Sequence, residues 1–301
     1  MNSEYNMHQP VLLKEVLGYL NPQSNQNFID ATVGDGGHAK EILKCIAPNG
    51  KLLAIDRDAE SIIRAKTNLA EFRDRVLFIN DSFGNIRKIA EEAMSQIRSF
   101  GLINGVLFDF GVSSTQLENS GRGFSFQKDE ILDMRFDVKT SVTAEDIVNE
   151  YSEADLAKIF FNFGEEHRAK KIAKAIVIAR KHKRIKTTGE LVRIIEIAAK
   201  RRNRLHPATL IFQALRIEVN DEIAEIKKAL DDILKILAND GRVAFISFHS
   251  LEDRLIKNWA KNLDKENKIK ILNKKPIIAS AEELRINPRS RSAKLRIIEK
   301  L

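Results

Sequence analysis

FIDATVGDGGHAKEILKCIAPNGKLLAIDRD, from Phe28 to Asp58, decides the fold class. An apolar run ends on Asp30, the chain turns through Gly34, Gly36 and Gly37, and a helical pattern leads to a second apolar run, Leu52–Ile55, closed by Asp56. That is a strand, a glycine turn, a helix and a second parallel strand with an acid at its end. Glycines there let the backbone approach a bound group closely and open into a helix N-terminus. GDGGHA satisfies the G-x-G-x-x-G/A pattern, and Asp56 lies about twenty residues on, where a ribose-binding acid belongs. Taken alone, the segment allows a nicotinamide dinucleotide. Three further acids favour S-adenosylmethionine: Asp30 inside the first strand's end, Asp81 in "INDSF" after the third, and Asp109 in "FDFGVSS" ending the fourth. Acids at successive strand ends suit a compact cationic cofactor better than a pyrophosphate.

Outward from this segment, "VLFIN" (Val76–Asn80) and "GVLFDFGV" (Gly105–Val112) read as further strands, with helical stretches over Ala59–Phe72 and Ile86–Ser99. Apolar strands alternating with helices predict a parallel sheet covered on both faces. From Ser113 to His206 the alternation stops, giving a glycine-containing irregular stretch and then helices without strands. "SEADLAKIFFNFG" is capped by Ser152, and "HRAKKIAKAIVIARKHK" and "TTGELVRIIEIAAK" follow with helical spacing. Ile223, Ile226, Leu230, Ile233 and Leu237 then mark a helix stopped by Gly241. "RVAFISF" returns as a buried strand, and "SAKLRIIEK" alternates like an edge or hairpin strand. The expected organisation is a discontinuous α/β domain, 1–112 and 207–301, with an inserted helical domain, 113–206.

The 301 residues are 43% hydrophobic and 31% charged, a globular profile. A net charge of +8 and a pI near 9.4 are compatible with a polyanionic partner. The first residues show no secretory pattern, no apolar run reaches membrane-spanning length, and a single cysteine, Cys45, excludes an internal disulfide. The expected location is cytoplasmic, with no membrane partner. The six histidines lack metal-ligand spacing, so no metal is expected.

The blocks "HQPVLLKEVL", "DATVGDGGHA", "AIDRD", "FDFGVSSTQL", "RGFSFQ", "LDMRFD", "GEE", "HPAT", "FQALRIEVN", "ISFHSLEDR" and "NPRSRSAKLR" resemble, in order, the bacterial 16S rRNA cytosine-N(4) methyltransferase family. The resemblance spans His8 to Arg296. It implies a Rossmann-like class I S-adenosylmethionine-dependent methyltransferase domain with an inserted all-helical domain, acting on a decoding-region cytidine of 16S rRNA within the small ribosomal subunit. It leaves open a homodimer. The family's cofactor contacts fall on Gly36, Gly37, His38, Asp56, Phe83, Asp109 and Gln116. Thr115 stands where the family usually has proline, and Asp35 where a small or basic residue is common.

Several residues invite a role beyond the cofactor. Asp109 is the candidate to polarise the reacting amine. In "RGFSFQ", Arg122, Phe124 and Phe126 combine cation and aromatic groups that could hold an unstacked base, one phenylalanine anchoring the loop and the other meeting RNA. Arg201, Arg202 and Arg204 in "KRRNR", together with "RKHKR" (Arg180–Arg184) and "NPRSRSAKLR", are candidate RNA contacts. His249 is divided between touching substrate and leaving Ser250 to cap the next helix, and His206 reads as structural. Cys45 is expected to be an inert packing residue. With no other thiol, methylation at carbon-5 of a pyrimidine has no nucleophile.

Overall fold

The computed structural model describes residues 10–96, 100–199 and 206–301. Two compact units divide the chain, one comprising Met1–Gly111 and Ile223–Leu301, the other Val112–Glu222.

The first unit is built in chain order from α1 (Leu13–Leu20), β1 (Asn27–Asp30), α2 (Gly37–Cys45), β2 (Leu52–Asp56), α3 (Ala59–Asn68), β3 (Val76–Asn80), α4 (Ile86–Gln96) and β4 (Ile103–Asp109). The second unit contributes α5 (Ser114–Asn119), α6 (Ala144–Glu150), α7 (Glu153–Asn162), α8 (Ala169–Arg180), α9 (Thr188–Ala199) and α10 (Pro207–Asn220). The first unit then resumes with α11 (Glu222–Ile236), β5 (Leu237–Ser247), α12 (Ser250–Lys265), β6 (Ile269–Ile271), α13 (Ala281–Ile286) and β7 (Lys294–Lys300).

The sheet runs β3-β2-β1-β4-β5-β7-β6. Strands β1 to β5 pair in parallel, and β7 is antiparallel to both β5 and β6. All four residues of β1 are buried, as befits a central parallel strand covered on both faces. Alternate side chains feed two cores. Phe108 and Phe245 pack with Ile226, Leu230 and Ile233 of α11, whereas Leu107 and Ala244 pack with Val16, Ile42 and Leu43 of α1 and α2. The strand order reverses between β1 and β4, and a crevice at such a reversal, beyond the strands' carboxyl ends, is where α/β sheets bind ligands.

Three readings change here. β4 ends at Asp109 rather than Val112, because Gly111 adopts φ 115° and leaves the strand. The α11 helix ends at Ile236, and Gly241 lies instead in a bulge of β5 between Leu237 and Arg242, where Asp240 takes φ 59°. β7 is interior to the sheet, not an edge: Leu295, Ile297 and Ile298 are buried between β5 and β6.

In the helical unit, short polar residues set the helix starts. Thr143 and Asp146 form a reciprocal capping box for α6, and the Ser152 hydroxyl accepts the Asp155 N–H at the start of α7. α10 opens with Pro207 at its first turn, and the His206 Nδ1 accepts the Ala208 N–H. Its Ala208, Ile211, Phe212 and Leu215 enter the core with Leu156, Phe160, Ile172 and Ile195. This helix therefore packs with the other helices, where the sequence boundary at 206 left it outside them.

Candidate functional site

The carboxyl ends of β1, β2 and β4 bring three aspartates to one edge of the first unit. Asp30 closes β1 and is only 1% exposed. Its Oδ1 accepts the Thr32 N–H at 3.2 Å. Burial pushes its carboxyl up to about 7, the Thr32 amide opposes the rise, and nearby Asp56 adds to it. Asp56 closes β2; its Oδ2 accepts the Gly34 N–H at 2.9 Å and its Oδ1 the Asp58 N–H at 2.8 Å. It is half-buried, and burial lifts it to about 6 against the two amides. Asp109 closes β4 and is held well above the usual carboxylate range by burial, then by Asp30 and Glu252. Its Oδ1 is buried without a hydrogen-bond partner.

The glycine turn packs against this edge. Gly36 sits at φ 87°, a backbone state open to glycine, and a β-carbon there would come within 3.1 Å of Leu69. His38, 6% exposed, follows at the start of α2. With its Nε2 donating to the Val11 carbonyl at 2.9 Å, its bare Nδ1 lies 3.7 Å from Asp109 Oδ2. Burial drops this imidazole to about 4, so it is neutral at physiological pH. Phe83 follows β3 and meets Phe108 and Phe110 edge-on, with centroids 5.8 and 5.5 Å apart. Asp81, the fourth expected acid, accepts the Ser82 N–H and the Asn85 side-chain amide, and so holds the turn into α4.

Two contributors were missed in the sequence. Thr32 Oγ1 accepts the Asp109 N–H at 2.7 Å while its own amide serves Asp30, so one residue ties the ends of β1 and β4 together. Nothing in the sequence marks it. Glu252 is fully buried on α12; its Oε2 accepts the Phe248 and His249 N–H groups at 2.8 and 3.3 Å. His249 itself is the cap of α12, where the sequence left it divided between a substrate contact and a Ser250 cap: its Nδ1 accepts the Glu252 N–H in a capping box. A glutamate three residues after the cap was the available signal, but histidine is not a usual cap residue.

Within the helical unit the candidates fare differently. Gln116 accepts the Ser113 N–H at 2.9 Å through Oε1, and the Ser113 Oγ accepts the Gln116 backbone N–H at 3.2 Å, a capping box that starts α5. Arg122, 7% exposed, donates to the Arg135 and Phe136 carbonyls, with its guanidinium 5.4 Å from the centroid of the Phe124 ring. Phe124 is buried and stacks on Phe136. Both hold the loop: Phe124 takes the anchoring place expected of one of the two phenylalanines, and the Arg122 guanidinium is engaged by carbonyls rather than turned to solvent. Phe126 is half-buried, stacked on His206 and edge-on to Phe212.

The "RKHKR" run lies at the surface, with Lys181, His182, Lys183 and Arg184 exposed, but its two arginines are engaged within the unit. Arg180 donates to the Val148 and Tyr151 carbonyls, and Arg184 pairs with Glu145, Asp146 and Glu150. Arg296 of the last basic block pairs with Asp253 at 2.6 Å. Arg201, Arg202 and Arg204 lie outside the described residues. Cys45 is exposed at the end of α2, not packed as expected.

One buried and two half-buried carboxyl groups around an orphaned oxygen form a site in want of a cation with polar hydrogens. S-adenosylmethionine fits that requirement: it carries a sulfonium and an ammonium, with ribose hydroxyls for acceptors. The sequence matches the MraW methylase family over residues 5–301. It is 44% identical to "Ribosomal RNA small subunit methyltransferase H" of Clostridioides difficile strain 630, covering 98% of this chain and 99% of that one. It is 47% identical to the protein of the same name from Sulfurihydrogenibium sp., covering 96% and 98%. The Dictyoglomus thermophilum protein of that name is 43% identical, covering 100% and 99%.

Proposed function

The chain belongs to the MraW methylase family, and on that premise we propose that it transfers a methyl group from S-adenosylmethionine to the N(4) amine of a cytidine in the decoding region of 16S rRNA. The observation that carries the reading is the buried, partnerless Asp109 Oδ1 at the carboxyl end of β4, among the acids that close β1 and β2. A nicotinamide dehydrogenase, the other enzyme the glycine turn allows, has no place in a methylase family.

The bound cofactor supplies an electrophilic methyl group on a cationic sulfur. Around it, Gly36, Gly37 and His38 form the turn that would receive its amino-acid portion, Asp56 would accept its ribose hydroxyls, and Phe83 would flank its adenine. Asp56 already holds Gly34 and Asp58, so the turn and the ribose acceptor are fixed as one piece.

The harder task lies with the nucleophile. Cytosine's exocyclic amine delocalises its lone pair into the ring and attacks poorly, so catalysis is chiefly positioning in line with the methyl group. Asp109 Oδ1 would accept an amine N–H and polarise it as positive charge develops on nitrogen. Thr32 fixes the Asp109 backbone for that role. The target base must leave its stack; within the helical unit Phe126, half-buried rather than enclosed, would be the aromatic offered to RNA. Arg201, Arg202 and Arg204 are proposed as phosphate contacts.

The deciding experiment is methyl transfer from labelled cofactor to small ribosomal subunits, with the modified base identified by mass spectrometry. N(4)-methylcytidine is expected. Finding 5-methylcytidine, or no transfer to small-subunit RNA, overturns the reading.

A further inference from the structure

The helix that follows β5 carries a row of cations along one face. Glu252, Ile256 and Ala260 form the buried stripe of α12. At about 100° per residue, Arg254, Lys257, Lys261 and Lys265 fall together on the opposite side. Lys261 and Lys265 are exposed and Lys257 half-buried, and among the described residues none of these three lysines has an ion-pair partner.

Elsewhere in the same unit several helical cations are paired, although Lys14 of α1, Lys66 of α3 and Lys227 of α11 stand singly. On α4, Arg87 pairs with Glu91 at 2.8 Å, and Lys88 lies 3.9 Å from Glu92. On α3, Arg64 pairs with Asp35 at 2.7 Å. On α12, by contrast, Lys261 has Lys257 and Lys265 as its i±4 neighbours, so like charges repel along the ladder. Helix stability does not account for that arrangement. Only Lys265 lies in the last turn, where a cation is favoured by the helix dipole.

The row continues beyond the helix. β6 packs against α12 and exposes Lys270, and the turn after it carries exposed Lys274 and Lys275. Lysines on an edge strand guard against unwanted pairing, which explains Lys270 but not the ladder on the helix.

The ladder also starts in a telling place. The Phe110 N–H donates to the Ile246 carbonyl, and a β-carbon on Gly111 would lie 3.2 Å from the Phe248 ring. α12 therefore leaves from the carboxyl edge that carries Asp109. From Arg254 to Lys265 the row is about 16 Å long, enough to meet several phosphates.

We propose that the α12–β6 edge of the α/β unit is a phosphate-binding track for RNA, with Lys257, Lys261 and Lys265 neutralising successive backbone phosphates near the methylation site. The inference rests on the RNA methyltransferase reading above. The test is a Lys257→Gln, Lys261→Gln, Lys265→Gln variant of the full chain, with a small-subunit RNA transcript as probe. In filter binding over a salt series, the slope of log affinity against log salt should become shallower by about 2 units. The KM for RNA should rise while the dissociation constant for S-adenosylhomocysteine stays fixed. Arginine at the same three positions should restore both the slope and the KM. An unchanged slope alongside wild-type methylation of the RNA overturns the track and leaves the enzymatic reading standing. Failure of the wild-type protein to methylate small-subunit RNA removes the premise instead.

Discussion

Asp30 is enclosed by protein, and its carboxyl is lifted from 3.8 to about 7 mainly by burial. The folded chain therefore holds a proton there that the unfolded chain has released. Its contribution to stability is fully present below pH 3.8 and is lost as pH rises to about 7, on the order of 4 kcal/mol in all. Asp30→Asn should raise the cofactor-free unfolding free energy at pH 8 by about 2–4 kcal/mol and leave it nearly unchanged at pH 4. Urea melts at the two pH values decide this; an equal gain at both would mean that charge is not the cause. His38 has the opposite sign. With its imidazole lowered from 6.5 to about 4, its contribution is present above pH 6.5 and is lost as pH falls through 4. A bound sulfonium favours the ionised acids, so S-adenosylmethionine should bind more tightly as pH rises through about 6 and 7. S-adenosylhomocysteine lacks that charge and should show a weaker dependence; calorimetry of both ligands from pH 5.5 to 8 checks it. Asp56→Ala should weaken S-adenosylhomocysteine by about one to two decades, since a hydrogen bond to a charged group contributes roughly 1.5–3 kcal/mol. An unaltered dissociation constant would remove Asp56 from the ribose.

At the scale of elements, Gly105 of β4 lies across from Phe28 of β1, and a β-carbon there would fall 2.1 Å from the Phe28 ring. Gly105→Ala should destabilise the α/β unit by several kcal/mol, in the manner of an overpacked core, and a melting temperature close to wild type would refute the tight pairing. Cys45 tests the chemistry from the other side. It is exposed at the far end of α2 from the glycine turn, so Cys45→Ser should retain methyl transfer; loss of turnover in the folded variant would point to a covalent thiolate mechanism. The parallel strands were legible in the sequence because buried central strands are continuous apolar runs, and the acids were legible because each ends such a run. The partner of an apolar face was not. α10 has the same helical spacing whether it covers a sheet or joins a bundle, and the alternation of Lys294–Lys300 does not disclose two neighbouring strands. Cation runs are incompletely legible for a related reason: sequence shows Arg122, Arg180 and Arg184 as charges but not the carbonyls and carboxylates they meet.

For the whole molecule, the order of the strands in the sheet departs from their order in the chain. Asp109 of β4 pairs with Ile246 of β5 only after the entire helical unit has intervened. β7, which follows every other element, then inserts between β5 and β6. During synthesis, β1 to β4 thus emerge with one flank of β4 open. At roughly 5–20 residues per second, the missing neighbour arrives on the order of 10 s later. Over that interval an apolar parallel edge is exposed to other nascent chains, while the intervening helices can bury their own separate core. Methyltransferase capacity is consequently expected only after β7 locks the far side of β5, so a chain truncated before Lys294 should fail to retain S-adenosylhomocysteine in equilibrium dialysis.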